Sequence, residues 1–363
     1  MLRRVVLLAD ESAHWKISGL RQLERLARAL NQAAAKRLET IELFILWRPD
    51  LPGEQRLSPR MDRLTRIHIA PVPPGSADLL LSTRVFLLRS FSIAGWLSEP
   101  VNLDRGFDQL AAETRDSVVP NEAVYLRSPA DIPGCERRFL HESGKPQDGL
   151  VSRFINRPLS RVVSRGLLQT AMTPSAWTLL IFILPLVGAG FLLHGDYASV
   201  VVGLLFFQLY SVLDGCDGEI ARAKYLESAC GRQLDTGCDV VANLVLAVTL
   251  GYGLLRLWEG IGVAILIATN ELILGLPSTE SNQAPTAQIS GAVYARHQQM
   301  VEQSGLLLFG PRIAWWMIQL TKRDVAILVF LLLALVRQPA WILHLSGAVA
   351  AISSFLALRS RRR

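Results

Sequence analysis

The sequence contains few residues of the kinds that build disulfides, zinc sites or nucleophilic triads. It has 4 cysteines and 6 histidines among 363 residues, no C-x-x-C pair, and no paired arrangement of histidines. Cys135, Cys216, Cys230 and Cys238 fall in or near segments predicted to face the cytosol, where disulfides are rare. Three of these cysteines flank a group of aspartates, and packing is favoured over zinc ligation as their role.

Nucleic-acid-binding modules are also missing, although the net charge is +7. The positive charge is interpreted as contact with anionic lipid headgroups, so we expect no nucleic-acid partner. The N-terminal stretch MLRRVVLLAD has an apolar run that is too short for a secretory leader and ends at Asp10 and Glu11. We therefore expect the N-terminal domain to lie in the cytosol.

Long apolar runs fill the second half of the chain. Since a membrane helix needs about 20 apolar residues, these runs predict six transmembrane helices. They cover residues 174–193, 198–213, 240–258, 261–276, 325–337 and 340–357. Arginine and lysine are concentrated around 153–165 and 312–323 and are scarce in the intervening outer loops. This asymmetry predicts both termini on the cytoplasmic side of the membrane. We expect that membrane to be a bacterial or archaeal cell membrane.

The first part of the chain has the pattern of an α/β domain. A buried strand at 3–9, a helix at 19–35 and a second strand at 41–47 form a strand–helix–strand unit. Further strands are expected at 67–71, 78–82 and 123–127. We expect an α/β domain over residues 1–135, a linker with an interfacial amphipathic helix over 136–172, and a membrane domain over 173–363.

Four aspartates are grouped between the second and third predicted spans. Asp214 and Asp217 are three residues apart, and Asp235 and Asp239 are four apart, so each pair shares a helix face. A short turn near residues 227–228 would bring the two faces together. Four converging carboxylates repel one another unless cations bind, and hard oxygen ligands favour Mg²⁺, Mn²⁺ or Ca²⁺ over zinc. A pair of such ions is suited to phosphoryl transfer.

The residues between the aspartates fit a phosphorylated ligand. Gly218 and Ala221 are small enough for a helix or a flat base to approach the backbone, and Gly231 clears the facing helix. Arg222 is able to donate a bidentate pair of hydrogen bonds to a phosphate.

These positions together resemble, in full, the signature of the CDP-alcohol phosphotransferase family. The pattern reads Asp214-x2-Asp217-Gly218-x2-Ala221-Arg222-x8-Gly231-x3-Asp235-x3-Asp239. The resemblance implies six membrane helices, a homodimer and two divalent ions, Mg²⁺ or Mn²⁺. It also implies that CMP leaves while the substituted phosphate of a CDP-alcohol donor passes to an acceptor hydroxyl.

The resemblance also assigns roles to the individual residues. Asp214, Asp217 and Asp235 would bind metal, and Asp239 would lie beside the second ion and remove the acceptor's proton. A second set would line the cytidine and pyrophosphate site. That set is Gly218, Ala221, Arg222 and Gly231.

Three segments resemble the branch that makes di-myo-inositol phosphate phosphate from CDP-inositol and inositol 1-phosphate. They read DGLVSRFINRPLSRVVSRGLLQTAMTP, LDGCDGEIARAKYLES and LTKRDVAILVFLLLAL. This likeness implies a polyol or polyol-phosphate acceptor and an N-terminal inositol-1-phosphate cytidylyltransferase domain. Two positions depart from the branch. No glycine precedes Gly19 where a phosphate-binding loop should follow the first strand, so we expect a degenerate domain without cytidylyltransferase activity. Val240 stands where many relatives have an arginine, which leaves the acceptor open.

Five further residues are candidates for the acceptor site, each with an alternative role. Arg153, Arg157 and Arg161 either face the acceptor phosphate or bind lipid headgroups. Lys224 either contacts the acceptor or snorkels to the membrane interface. Glu271 either lines the acceptor pocket or marks an early end of the fourth span.

Two other functions remain open at the level of sequence. One is a phosphatidyltransferase of phospholipid synthesis, which keeps the chemistry but uses CDP-diacylglycerol as donor. The other is a non-catalytic membrane scaffold that binds a nucleotide, against which the complete aspartate set argues.

Overall fold

The computed structural model describes residues 2–37, 39–51, 64–69, 75–91, 96, 100–118, 121–144, 148–275, 319 and 322–361. The chain divides into two compact units. The first comprises Met1–Ser143 together with two short later segments, Arg165–Ala171 and Ala221–Leu226. The second comprises Gly144–Ser164, Met172–Ile220 and Glu227–Arg363.

The first unit is built around a parallel sheet. Its strands are β1 (Leu2–Ala9), β2 (Lys16–Ile17), β3 (Leu20–Arg21), β4 (Thr40–Trp47), β5 (Leu64–Ile69), β6 (Ser76–Ala77), β7 (Leu79–Ser82), β8 (Val85–Leu87), β9 (Val101–Asn102) and β10 (Ala123–Tyr125). Its helices are α1 (Gln22–Arg37), α2 (Phe107–Asp116) and α3 (Ile132–Glu142). The main sheet has the order β5-β4-β1-β7 with all pairs parallel. This confirms the predicted α/β class.

Both faces of the central strand β1 are buried, which explains its uninterrupted apolar sequence. Val5 and Leu7 point to the face covered by α1, whose Leu26 and Leu30 are fully buried in the same cluster. Val6 and Leu8 point to the opposite face, where residues of α2 complete a second cluster. The helix occupies 22–37 rather than 19–35, because residues 16–21 form the β2–β3 hairpin.

Two acidic side chains follow the carboxyl end of β1, and both form hydrogen bonds or ion pairs with other residues of the first unit. Asp10 accepts hydrogen bonds from the backbone and hydroxyl of Ser12 and from Nε of Arg84, at 2.8, 2.5 and 2.5 Å. Another nitrogen of Arg84 donates to Glu11 at 2.8 Å. Burial favours the protonated acid, but the hydrogen bonds from Ser12 and Arg84 outweigh it and lower the pKa of Asp10 below its ordinary value.

The remaining helices are almost all apolar. They are α4 (Arg157–Leu168), α5 (Pro174–Ile181), α6 (Ile183–Leu192), α7 (Tyr197–Leu213), α8 (Gly215–Ala223), α9 (Ala229–Gly253), α10 (Leu257–Gly275), α11 (Arg323–Leu335) and α12 (Ala340–Arg361). Three helical stretches of the described residues are long and apolar enough to cross a membrane, namely Pro174–Leu192, Tyr197–Ala223 and Ala229–Gly253. The first stretch combines α5 with α6, the second combines α7 with α8, and the third is α9. Large apolar side chains such as Leu179, Ile183 and Leu186 are exposed on their surface, as expected of a lipid-facing helix.

The helix starts follow local sequence signals. Thr173 caps α5, accepting a hydrogen bond from the Ala176 amide at 3.3 Å, with Pro174 in the first turn. This confirms the predicted start. A π-helical turn at Ser152–Asn156 precedes α4, so Pro158 lies at the start of a new helix.

Two glycines allow α6 and α7 to approach closely. A Cβ atom added at Gly203 would lie 2.8 Å from the Gly188 carbonyl oxygen and 2.8 Å from the Leu192 side chain. The atoms that an added methyl group would meet belong to the two packed helices. Gly188 and Gly203 therefore have no room for a side chain.

We therefore expect Gly203→Ala to destabilise the second unit by about 1–3 kcal/mol through overpacking. The measurement is the thermal midpoint of the detergent-solubilised protein. Gly190→Ala is the matched control, because nothing lies within 4 Å of its Cβ position, and it should leave the midpoint unchanged or raise it. Equal midpoints for the two variants would contradict the close approach.

Candidate active site

Three of the four aspartates form a carboxylate cluster in the second unit. Asp214 lies between α7 and α8, Asp217 is on the first turn of α8, and Asp235 is on α9. One carboxylate oxygen from each lies within 4.8 Å of the other two. All three side chains are partly buried, so the cluster combines three negative charges with limited solvation. An oxygen-only donor set of this kind fits Mg²⁺ or Mn²⁺.

The fourth aspartate lies beside this cluster and makes different contacts. Asp239 accepts a hydrogen bond from the Tyr210 hydroxyl at 3.0 Å and forms an ion pair with Arg323. The same guanidinium lies 3.8 Å from Asp214 and 4.8 Å from the centroid of the Tyr210 ring. Arg323 therefore links two of the aspartates, and Tyr210 and Arg323 together orient the Asp239 carboxylate.

The cluster is oriented from the first apolar helix. The Thr178 hydroxyl on α5 donates to Oδ2 of Asp217 at 2.7 Å, and the Trp177 indole donates to the Leu213 carbonyl at 3.0 Å. The other oxygen of Asp217 accepts a hydrogen bond from the Gly218 amide. Hydrogen bonds of this kind fix the direction in which a ligand oxygen points.

The small signature residues lie on the two helices that carry the aspartates. Gly218 is in the first half of α8, and Ala221 and Arg222 are in its last turn, where Arg222 is buried. Gly231 is in the first turn of α9, and its amide donates to the capping hydroxyl of Ser228 at 3.0 Å. A methyl group at Gly231 would come within 3.0 Å of that hydroxyl, so the cap itself favours glycine.

A cavity of about 550 Å³ opens beside the aspartates within the second unit. Its wall contains Asp214, Asp235 and Asp239 at one end. Apolar side chains, among them Leu246, Ile267 and Phe330, and the carboxylates of Asp148, Glu271 and Asp324 line much of the remainder. The other groups of the wall are amides, hydroxyls and cations. These are Ser152, Asn156, Arg157, Ser160, Ser211, Thr236, Asn243, Asn270, Ser346, Lys322 and Arg323. The amide, hydroxyl and cationic part of this lining suits a ligand with hydroxyl groups and a negative charge.

Of the three arginines proposed for the acceptor, Arg157 lines this cavity. Its guanidinium donates to Asp148 at 2.9 and 3.2 Å and to Glu219 at 3.3 Å. Glu219 has no exposed surface. Arg157 therefore joins the start of α4 to α8 through a buried ion pair. Arg153 is exposed on the π-helical turn, and Arg161 is partly buried on α4.

The other two acceptor candidates have separate surroundings. Lys224 is buried in the first unit, where its ammonium group donates to the Thr170 carbonyl at 2.7 Å. Glu271 lies near the end of α10 and lines the cavity together with Asn270.

The four cysteines are free thiols. Cys216 and Cys238 are buried, and the Cys216 thiol lies 3.4 Å from the Ser160 carbonyl. Cys230 is exposed. None of the four belongs to the three-aspartate group found among the described residues.

Three residues of the site were missed at the level of sequence. Thr178 and Tyr210 lie within apolar runs, where a single hydroxyl group does not by itself indicate a site. Arg323 directly precedes an apolar run, where a basic residue is usual at a membrane interface. The available signal was weak, because only the packing of α11 against α7 brings Arg323 to Asp239.

Comparisons with known proteins match the part of the chain that contains this site. A model of the CDP-alcohol phosphatidyltransferase family matches residues 171–353. The chain is similar to a bifunctional IPC transferase and DIPP synthase of Rubrobacter xylanophilus, with 38% identity over 126 residues, covering 35% of this chain and 28% of the relative. A protein of the same name from Thermococcus kodakarensis is 30% identical over 145 residues, covering 39% and 32%. A third, from Archaeoglobus fulgidus, is 41% identical over 120 residues, covering 32% and 24%. The chain thus spans 24–32% of the length of these three relatives.

We expect Thr178→Val to weaken divalent-metal binding about 10–100-fold, since the hydroxyl orients a ligand oxygen of Asp217. Titration with Mn²⁺, followed by electron paramagnetic resonance, measures the affinity without requiring turnover. Thr249→Val is the matched control, because its hydroxyl bonds only within its own helix, to the Val245 carbonyl at 2.7 Å and the Leu246 carbonyl at 3.5 Å. Equal Mn²⁺ affinities for the two variants would contradict the orienting role.

We expect Arg157→Leu to destabilise the second unit by about 3–5 kcal/mol, because it leaves the buried Glu219 carboxylate without its ion pair. The double variant Arg157→Leu with Glu219→Leu removes both charges and should recover much of that loss. Thermal midpoints in detergent measure both. A double variant no more stable than the single one would show that the ion pair is not the cause.

Proposed function

Because the chain belongs to the CDP-alcohol phosphatidyltransferase family, whose model matches residues 171–353, we propose that it transfers a substituted phosphate from a CDP-alcohol to an acceptor hydroxyl and releases CMP. The main support is the convergence of Asp214, Asp217 and Asp235 within 4.8 Å of one another. Asp239 lies at the adjoining cavity, where a proton acceptor is needed.

The three-carboxylate cluster fits the divalent ions implied by the family. Asp214, Asp217 and Asp235 would hold Mg²⁺ or Mn²⁺, with Asp239 beside the second of two ions. When bound, these ions supply charge neutralisation of the pyrophosphate and alignment of the attacking and leaving oxygens. Gly218, Ala221 and Gly231 leave the backbone accessible to the cytidine, and Arg222 contributes positive charge toward the phosphates.

Asp239 acts as the general base in this proposal. The acceptor oxygen forms a bond to the phosphorus that carries the donor alcohol, its proton passes to the Asp239 carboxylate, and the bond to the CMP oxygen breaks. Tyr210 and Arg323 hold the carboxylate toward the cavity. A fixed base near the reacting hydroxyl is a standard contribution to such a step.

The acceptor is a polyol phosphate such as inositol 1-phosphate. Lys322 brings positive charge to the cavity wall, and Asn243 and Ser211 offer hydrogen bonds to hydroxyl groups. The guanidinium of Arg157 also lines the cavity but is paired with Asp148 and Glu219. The relatives are named as a bifunctional IPC transferase and DIPP synthase, and these names support a substrate of this class. Arg153, Arg161, Lys224 and Glu271 remain candidates for acceptor binding.

The membrane arrangement extends the same proposal. Three spans are provided by helices of sufficient length, and α10, α11 and α12 would complete six. The protein would form a homodimer in the cell membrane, with its active site and both termini in the cytoplasm. Residues 1–135 would form a degenerate cytidylyltransferase-like domain, 136–172 the linker and interfacial helix, and 173–363 the membrane domain.

The decisive experiment is a CMP-release assay on the purified protein with Mg²⁺ or Mn²⁺ and a panel of acceptor alcohols. CDP-inositol and CDP-diacylglycerol are supplied separately as donors. Turnover with CDP-inositol and a polyol phosphate is the expected result. Turnover that requires the lipid donor would instead assign the chain to phospholipid synthesis. Absence of CMP release with every donor would favour the non-catalytic scaffold.

We expect Asp239→Asn to reduce kcat by about 10²–10⁴-fold, because the amide cannot accept the acceptor's proton, while donor binding is largely kept. Asp196→Asn is the matched control. Asp196 caps α7 by accepting from the Ser199 amide at 3.1 Å, and asparagine caps a helix equally well. Wild-type turnover by Asp239→Asn would exclude Asp239 as the base.

A further inference from the structure

The first unit includes the turn that ends the first helix of the signature. Residues 221–226 belong to this unit although they lie far from residues 1–143 in the sequence. This turn begins with Ala221 and Arg222, and Arg222 is the cation proposed to contact the donor phosphates. The structure of the turn therefore influences the position of the end of α8 and of the Arg222 backbone.

The turn is a Schellman-type helix end with an unusual residue at its key position. The Leu226 amide donates to the Ala221 carbonyl at 2.8 Å, and the Tyr225 amide to the Arg222 carbonyl at 3.4 Å. In such turns the residue after the cap adopts a left-handed conformation, for which glycine is preferred. Tyr225 occupies that position with φ = +52°. A bulky residue remains there only where its surroundings compensate the cost of about 1–3 kcal/mol.

The compensation comes from an arginine in the core of the first unit. Arg25 is fully buried. Its guanidinium lies 4.0 Å from the ring centroid of Phe86 and 5.4 Å from those of Phe139 and Tyr225. Its Nη2 donates to the Leu87 carbonyl at 3.4 Å. A desolvated cation–π contact is worth about 2 kcal/mol or more, which is comparable with the strain at Tyr225.

Two further contacts hold the backbone and the side chain that precede Tyr225. Nη1 of Arg28 donates to the Lys224 carbonyl at 3.2 Å, while Nη2 pairs with Glu24 at 2.6 Å. The Lys224 ammonium group donates to the Thr170 carbonyl at 2.7 Å. Burial of this group lowers the pKa of Lys224. The turn is thus held by an aromatic contact and by hydrogen bonds from α1 and to residue 170.

We propose that Arg25 and Arg28 are positioning residues, which hold the 224–226 turn and thereby set the place of Arg222 for the donor pyrophosphate. This inference rests on the proposed function and gives the first unit a role in the reaction without nucleotide chemistry of its own. A helix end that is fixed before the donor arrives loses less conformational entropy when the donor binds. Loosening the turn therefore raises the donor KM more than it lowers kcat.

The test compares Tyr225→Leu with Tyr225→Phe in the full chain. Leucine removes the ring that contacts Arg25, whereas phenylalanine keeps it. Amide hydrogen exchange at residues 225 and 226 should become at least about tenfold faster in the leucine variant, which corresponds to about 1.4 kcal/mol. The donor KM in the CMP-release assay should rise by a similar factor, with kcat within about threefold of wild type. The phenylalanine variant should match wild type in both measurements.

Tyr125→Leu is the matched control. Tyr125 packs against the same core cluster as Tyr225 and lies under the guanidinium of Arg115 at 6.0 Å. Its loss should therefore perturb the first unit to a similar extent while leaving the 224–226 turn in place. Arg28→Gln should produce a smaller effect of the same kind as Tyr225→Leu, and Arg28→Lys should partly restore it.

The outcomes separate this inference from the function on which it rests. If Tyr225→Leu shows wild-type exchange and donor KM, or if Tyr125→Leu changes both equally, the positioning role is wrong. If the wild-type chain releases no CMP from any donor, the proposed function fails. The exchange comparison then still decides whether Tyr225 holds the turn.

Discussion

The structure depends on keeping several carboxylates together next to apolar helices. Two like charges about 4 Å apart repel by about 4 kcal/mol at an effective dielectric constant near 20. Asp214, Asp217 and Asp235 nevertheless approach within 4.8 Å, so a bound cation or a proton on one carboxylate is needed to reduce their repulsion. The fourth carboxylate, Asp239, has its own cation in Arg323. The site therefore combines a three-carboxylate cluster, whose donor set fits a divalent metal, with a fourth aspartate that shares Arg323 with Asp214.

The surrounding helices maintain this arrangement with polar contacts between otherwise apolar surfaces. The Thr178 hydroxyl orients Asp217 from α5, and Arg157 joins α4 to α8 through Glu219. Each contact satisfies a polar group in a place where an unsatisfied one is costly. Close packing at Gly203 also holds the helices in place, because α6 and α7 pack without an intervening side chain. Rigid helices, rather than loops, thus position the groups of the site.

The first unit keeps the framework of an α/β domain while its strand-end acids are paired internally. Asp10 and Glu11 both form ion pairs with Arg84. Its most unusual core group is the buried Arg25, whose charge is stacked on aromatic rings that include Tyr225. A cation in a core is costly unless it is compensated, and here the compensation also stabilises a left-handed tyrosine at the end of the signature helix. The folding energy of this unit is thereby coupled to the geometry of that helix end.

Local patterns in the sequence were enough to predict the α/β class, the start of the first apolar helix at residue 174 and the spacing of the aspartates on helix faces. Each of these depends on residues close together in the chain, through strand and helix periodicity, a capping hydroxyl, or spacings of three and four residues. The contacts of Asp239 with Arg323, of Asp217 with Thr178 and of Arg25 with Tyr225 required the tertiary structure. A threonine or an arginine within or beside an apolar run has the same local pattern whether it faces lipid, water or a carboxylate. Only the packing of helices distant in sequence decides which partner it contacts, and packing selects partners by shape and charge that no local period records.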